Sequence, residues 1–435
     1  MTNTFSDVSW ALAFVLLALA PLAIAGIALM NTGLGRSRSA AQSLLGSVIL
    51  VAIAALFFAV FGSSLAGVST QTGAGVTIAG KFWDLSGRAP LLFGASGFHS
   101  PEALRAPLVA LLQIWAVGLL AIIPWGSGSD RWRLPAASAA TVVSASVLFP
   151  LIAHWTSASG WLGQLGANFG LGAGFLDSSN GASVHVFGGI TALCVIWVAG
   201  PRKGKFPKPG VSTAIPGHHS VYVLLGCLLA LVGWIGFNGA SALLLLNSQL
   251  TGVASTAVNT VLSASAAVLA TFFITRARFG KPDASLCANG WLAGLVASSA
   301  TAGLVGPGSA IFIGCVAGVI TPLLVEVLEL GMSLDDPSGA IAVHGVVGIW
   351  GLIAAGLMGN LAPQADRAAQ VLAQLVGIAT LLGLLIPAVY LIFRLLNKIV
   401  PFRAESEGER LGMDLYELGG GAYPEFVVHR DEFHR

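Results

Sequence analysis

Eleven stretches of this sequence are apolar for long enough to cross a lipid bilayer, and that sets the solvent in which most of the chain must fold. They lie near residues 8-30, 41-66, 104-124, 135-155, 180-200, 219-246, 253-275, 286-304, 308-330, 339-359 and 368-396. A hydrocarbon core about 30 Å thick is crossed by roughly 20 residues of α-helix. Inside it every backbone N–H and C=O needs a partner, which a helix supplies within the segment. Only 9% of the 435 residues are charged and 55% are hydrophobic, against about a quarter charged in soluble domains. The 55 glycines form no linker or low-complexity tract, and they suit membrane helices whose backbones approach closely. The expected fold class is an all-α polytopic membrane protein with eleven transmembrane helices.

The first apolar run has a signal-like Ala23-Ile24-Ala25, but no Lys or Arg precedes it and it is as long as a full span, so it reads as a retained helix. An odd number of spans puts the termini on opposite sides. With the N-terminus outside, Arg36, Arg38, Arg131, Arg133, Arg202, Lys203, Lys205, Lys208, Arg276, Arg278 and Lys281 and the basic C-terminal residues fall on the cytoplasmic side, as the positive-inside rule requires. A formal net charge of +2 gives no reason to expect a nucleic-acid partner. No zinc-spaced or Walker-type motif is present, and no cofactor is expected. The four cysteines, Cys194, Cys227, Cys287 and Cys315, form no CxxC pair and read as packing residues.

The chain echoes itself. VHVFGGITAL at 184-193 matches VHGVVGIWGL at 343-352, and Asp177 precedes His185 by eight residues as Asp336 precedes His344. By the span count the copies lie in helices five and ten and run in opposite directions. The chain therefore reads as inverted repeats over about 8-200 and 219-359, with an extra helix at about 368-396. These make a transmembrane domain, 1-400, followed by a cytoplasmic tail, 401-435.

An intramembrane histidine is a functional-site candidate by default, and two in mirrored positions strengthen that reading. Buried, both are expected neutral at rest, each ring with one donor and one acceptor nitrogen. Facing each other, they would form a short polar file that passes a small neutral hydrogen-bonding solute, or a proton by relay. The plainer alternative is that each is a packing residue bonded to a backbone carbonyl. A zinc site is weak, with no third ligand nearby. Asp177 has two compatible readings: an anion bracing the outer mouth, or an N-cap in Asp-Ser-Ser-Asn. In GWIGFNGASA, 233-242, Phe237 offers a gating or cation-holding ring and Ser241 a hydroxyl for a solute at the mouth, unless the segment is simply a small-residue packing face.

Taken together, GASVHVFGG after Asp177, GWIGFNGASA and DDPSGAIAVHGVVGIWG at 335-351 resemble the ammonium transporter family (Amt/Mep/Rh). The resemblance spans nearly the whole chain, including GKP at 280-282 and GMDLYELGGGAY at 412-423. It implies a homotrimer in the cytoplasmic membrane with one pore per protomer, in which His185 and His344 take the twin-histidine positions, Asp177 that of the outer acid, Phe237 the inner gate ring and Ser241 the outer recruitment hydroxyl. It further implies inward movement of ammonium or ammonia.

The sequence departs from the family pattern at several points. HWTSASG puts Ser157 where a second Trp commonly helps cradle the cation, and QIWA, 113-116, puts Ala116 at the outer gate ring, with Trp115 as the neighbouring candidate. Desolvated cation-π contacts are worth about 2 kcal/mol or more each, so losing two would weaken recruitment by well over tenfold. Gly339 replaces an Asp, leaving helix ten without that anchor, and LGG at 418-420 replaces the tail's usual HGE. Gly412, Asp414 and Tyr423 still match the tail that, by the resemblance, a PII-type signal protein docks on. Two other functions stand beside ammonium transport. One is a divergent paralogue that senses ammonium or passes another small neutral solute. The other is an intramembrane serine hydrolase, which the lack of a GxSxG motif argues against; no enzyme is expected.

Overall fold

The computed structural model describes residues 7–68, 73–89, 91–93, 104–361 and 366–423. Eleven long helices account for the eleven apolar windows, and the chain is an all-α polytopic membrane protein. Among the described residues ten are long and apolar enough to cross a membrane: α1 (Asp7–Leu34), α2 (Ser37–Ala66), α3 (Arg105–Ser127), α4 (Leu134–Thr156), α5 (Gly181–Ala199), α6 (Ser220–Leu244), α7 (Leu250–Phe279), α9 (Pro307–Gly331), α10 (Ile341–Met358) and α11 (Arg367–Ile399). The window at 286-304 forms α8 (Ala284–Thr301), 18 residues long. Asn289, Ser298, Ser299 and Thr301 lower its hydropathy and all four are buried, so α8 is enclosed by other helices.

Small residues set the spacing between helices. Gly26 of α1 lies against the Gly226 carbonyl and Ala230 of α6, and Gly33 lies against Val223. The contacts run antiparallel, with Gly236 meeting Leu16 and Ala20 further along. A side chain at Gly26 or Gly236 would push these backbones apart, and lipid offers no hydrophobic gain to offset the loss.

The residues between α2 and α3 hold an element that apolar periodicity does not announce. β1 (Gly73–Ile78) pairs antiparallel with β2 (Lys81–Gly87), with Ile78 opposite Lys81 across Ala79-Gly80. Both turn residues have positive φ, as a tight hairpin demands, yet Ala-Gly is not the usual turn signature. The hairpin is pinned to the end of α4: His154 Nε2 lies 2.9 Å from Asp84 Oδ1 and Trp155 Nε1 donates to the Leu85 carbonyl at 2.6 Å.

At the other end of the helices a buried ionic cluster ties three loops together. Arg202 grips both carboxylate oxygens of Asp335, through Nε to Oδ2 at 2.9 Å and Nη2 to Oδ1 at 2.8 Å, and reaches Asp130 at 3.1 Å. Arg131 donates to the Asp335 carbonyl at 2.7 Å. Burial alone would raise the Asp335 carboxyl, but Arg131 and Arg202 beside it hold it down at about 2.

The C-terminal tail packs against this end. Asp414 accepts from the backbone N–H groups of Ala41 and Gln42 at 3.1 and 2.7 Å, near the start of α2. Glu417 accepts from Leu134 N at 3.1 Å, at the start of α4. The tail thus satisfies amide groups that helix starts leave without intrahelical partners. Gly412 lies so close to the Arg38 carbonyl that no Cβ would fit. Tyr423 Oη lies 3.1 Å from His218 Nε2. Residues 424-435 of the expected tail lie outside the described residues.

Candidate functional site

Helices α5 and α10 open in the same way. Each begins with a six-residue π-helical stretch, Gly181–Val186 in one and Ile341–Val346 in the other. Such wide turns are rare and concentrate at functional sites. Each stretch carries its histidine, eight residues after an aspartate. Each is also preceded by an aspartate that satisfies the helix's first amides. Asp177 accepts from Gly181 N at 2.7 Å and Ala182 N at 2.8 Å, and Asp336 accepts from Ile341 N at 2.8 Å and from the Ser127 hydroxyl at 2.8 Å.

Asp177 thus caps the helix from three residues ahead of its N-cap residue Asn180, as a carboxylate receiving charge-assisted hydrogen bonds at a helix start, where the macrodipole also favours negative charge. Asp177 lies just before the membrane-spanning segment. Burial pushes its carboxyl up to about 6, against the opposing pull of the Ala182, Gly181 and Ser179 amides. Gly339, standing where an acid was expected, has φ +70, a conformation that favours glycine, and a Cβ there would run into the Asn289 amide. The anchoring of α10 falls to Asp336.

The two helices cross next to the histidines. A Cβ on Gly189 would collide with the backbone of Gly345, so the glycine permits the approach that brings the rings together. His185 Nδ1 and His344 Nδ1 are 3.2 Å apart, with ring centroids 5.2 Å apart. Among the described residues neither bonds to a backbone carbonyl, as the packing reading would require. His185 is wholly buried and His344 is 2% exposed.

Beyond this contact the histidines differ. His185 Nε2 lies 3.1 Å from the Ser299 hydroxyl of α8, and Trp234 Nε1 of α6 lies 2.9 Å from the same oxygen. The Trp234 ring stacks on His185 at 5.5 Å and 11°. No protein group among the described residues hydrogen-bonds His344 Nε2. Trp234 stands inside the segment that drew attention to Phe237 and Ser241, so its position was within reach of sequence reasoning. Ser299 was not, because one serine of a Ser-Ser pair in an apolar window carries no distinguishing signal.

The remaining candidates are more dispersed. Phe237 is buried, and among the described residues neither it nor Trp115 pairs with another ring; Trp115 is half-buried with its indole N–H unpartnered. Ala116 is fully buried. Ser241 is fully buried too, with an unpartnered hydroxyl, so it is not exposed at a mouth. Its neighbour Asn238 donates to the Thr260 and Ser298 hydroxyls, both at 3.0 Å. Ser157 is taken up in the turn that ends α4: it donates to the His154 carbonyl at 2.7 Å and accepts from Gly160 N at 3.2 Å. An apolar cavity lined by Val117, Ala121, Thr141 and Thr191 lies between α3, α4 and α5, and none of these candidates lines it. Among the described residues no three His, Cys, Asp or Glu side chains converge as metal ligands.

Known proteins place this geometry in a family. The profile of the Ammonium Transporter Family matches residues 9–423. Ammonium transporter Amt2 of Archaeoglobus fulgidus is 32% identical over 94% of this chain and 86% of its own length. The ammonium transporter of Bacillus subtilis is 30% identical over 92% and 94%. Among solved structures, one titled Sensor Amt Protein superposes with a TM-score of 0.84 at 24% identity, covering 94% of this chain and 98% of that one, which establishes the shared fold. The chain belongs to the ammonium transporter family.

Proposed function

We propose that the protein carries ammonium inward across the cytoplasmic membrane, as ammonia and a separated proton, along a path that runs past His185 and His344. The observation that supports this most directly is the 3.2 Å contact between the two Nδ1 atoms in a buried crossing of α5 and α10. An unpaired ion in such a place would pay a desolvation cost far above that of a neutral solute. Ammonia passes such a region readily, because imidazoles can both give it a hydrogen bond and accept one.

In this reading Asp177 fixes the start of α5 and adds negative charge where ammonium arrives, at the outer mouth, and the buried, unpartnered Ser241 hydroxyl is left to hydrogen-bond a solute further in. Phe237 gates the path as its inner ring, Trp115 stands in for the outer ring missing at Ala116, and the termini lie outside (N) and in the cytoplasm (C). The protein works as a homotrimer, and the docked tail bearing Gly412, Asp414 and Tyr423 is where a PII-type signal protein acts.

A second reading rests on Ser157 and Ala116. Neither side chain carries a ring, so neither can hold a cation by π attraction, which suits a paralogue that senses ammonium or passes another small neutral solute. Ammonium-evoked currents and ammonia uptake in protein-containing liposomes decide between the two. Transport above empty liposomes is expected. Tight ammonium binding with neither signal would favour the second reading.

A further inference from the structure

Buried serine and threonine hydroxyls in helices commonly turn back onto the carbonyl four residues earlier. Thr32, Ser47, Thr191, Thr271 and Thr321 do so here, at 2.8 to 3.0 Å. Thr141 and Ser144 of α4 do not. They are 6% and 8% exposed, and among the described residues neither hydroxyl has a hydrogen-bond partner. Three residues apart on one helix face, both line the cavity between α3, α4 and α5. Trp132, in the turn between α3 and α4, lines the same cavity. It is 2% exposed and its indole N–H is also unpartnered, although a buried indole N–H ordinarily finds an acceptor.

The wall contributed by α4 is where that helix widens. Ser144 opens the π-helical turn Ser144–Leu148, and Ala145 within it also lines the cavity. Such turns concentrate at functional sites. Three otherwise unpaired polar groups therefore meet at one small space beside a π-helical turn.

We propose that this cavity is a binding site for one water molecule, which accepts from the Trp132 indole N–H and bridges to the Thr141 and Ser144 hydroxyls. The size suits that occupant: about 10 Å³ is open to a water-sized sphere, roughly what a single water requires. The chemistry suits it as well. A buried water makes about three hydrogen bonds. The indole only donates, while each hydroxyl can donate or accept, so a water can serve all three groups at once. Ammonium has no lone pair for the indole N–H, and no charged residue lines the space to offset its desolvation. An apolar occupant would leave all three polar groups unpaired. The site is off the histidine path, since His185, His344, Phe237 and Ser241 are not among its walls. It lies instead beside the root of the C-terminal tail, where the Trp132 ring packs on Phe402 at 5.7 Å and its backbone bridges to Arg403. The water thereby links the base of the tail to the widened turn of α4.

Crystals of the full chain grown without ammonium salts, with and without xenon pressure, test the proposal. The expected result is one solvent peak within hydrogen-bond distance of Trp132 Nε1, Thr141 Oγ1 and Ser144 Oγ, unchanged by xenon. In Thr141→Val combined with Ser144→Ala the solvent peak should disappear and xenon should enter, because a dry apolar cavity admits it. A xenon peak in the wild type, or no solvent peak there in a map that resolves other buried waters, overturns the proposal. So does a solvent peak that persists in the double variant. Should that variant fail to fold, the wild-type crystals decide alone. The measurement involves no transport, so its outcome is independent of the transport reading.

Discussion

The entries to α5 and α10 share a backbone plan and differ in the company that plan keeps. Both have an aspartate cap, a π-helical stretch and a histidine. At α5 the cap is Asp177 alone, and the histidine is held from two sides by Ser299 and Trp234. At α10 the cap is buttressed by Ser127 and by the Asp335–Arg202 cluster one residue away, while among the described residues the histidine's one hydrogen-bond partner is its twin. Repetition of the backbone thus brings the two rings together, and the surroundings make the pair asymmetric. One end is built for rigidity of the helix start, the other for rigidity of the ring.

The largest test of that contrast is Asp335→Ala. Removing one partner of a buried ion pair leaves the other charge uncompensated, typically at a cost of 3–5 kcal/mol. Thermal unfolding in detergent should show a drop of about that size, larger than for Asp177→Ala. The latter leaves two amides at the start of α5 without acceptors, which costs about 1–3 kcal/mol each, but it also removes a desolvated charge. A net loss of about 2 kcal/mol is expected, together with loss of ammonia flux. Equal losses in the two variants would contradict the contrast.

Asp177 also predicts a pH dependence. Its carboxyl is raised from 3.8 to about 6 in the folded protein, so the native state takes up this proton before the unfolded chain does. Its contribution to stability is full below about pH 3.8 and is lost as the pH rises through about 6. Unfolding temperatures recorded between about pH 4 and 7 should slope accordingly, and Asp177→Asn should flatten the slope.

The crossing itself is asymmetric. A Cβ at Gly189 collides with the Gly345 backbone, whereas one at Gly345 meets Gly189 at an ordinary 3.5 Å. Gly189→Ala should cost about 1–3 kcal/mol by overpacking and abolish flux by parting the rings, while Gly345→Ala should be close to neutral in both assays. At the small end lies Asp414→Ala, which removes an N-cap-like contact worth about 1 kcal/mol. Faster proteolysis of the tail with little change in global unfolding temperature is the expected readout.

Much of the fold was legible in the sequence because the membrane allows so few solutions. Length and apolarity marked all eleven helices, although α8, lined with Ser and Asn, owes its place to burial rather than hydropathy. The β1–β2 hairpin was not legible, since its strands are short and Ala79-Gly80 lacks a strong turn signature. Within the site, the internal echo led to His185, His344 and the paired aspartates. It could not lead to Ser299, which belongs to no repeat and matters only because α8 brings it against His185. Ser241 was read as a mouth hydroxyl and is instead fully buried, because sequence spacing fixes a residue's face on a helix but not the depth of the helices packed over it.

The most direct test of the central claim, that solute passes the crossing of α5 and α10, is stopped-flow ammonia uptake into liposomes holding the wild type, His185→Ala or His344→Ala. The account predicts rapid uptake in the wild type and rates near those of empty liposomes in both variants when each remains folded. Undiminished uptake in either folded variant would place the path elsewhere in the protein and contradict the account.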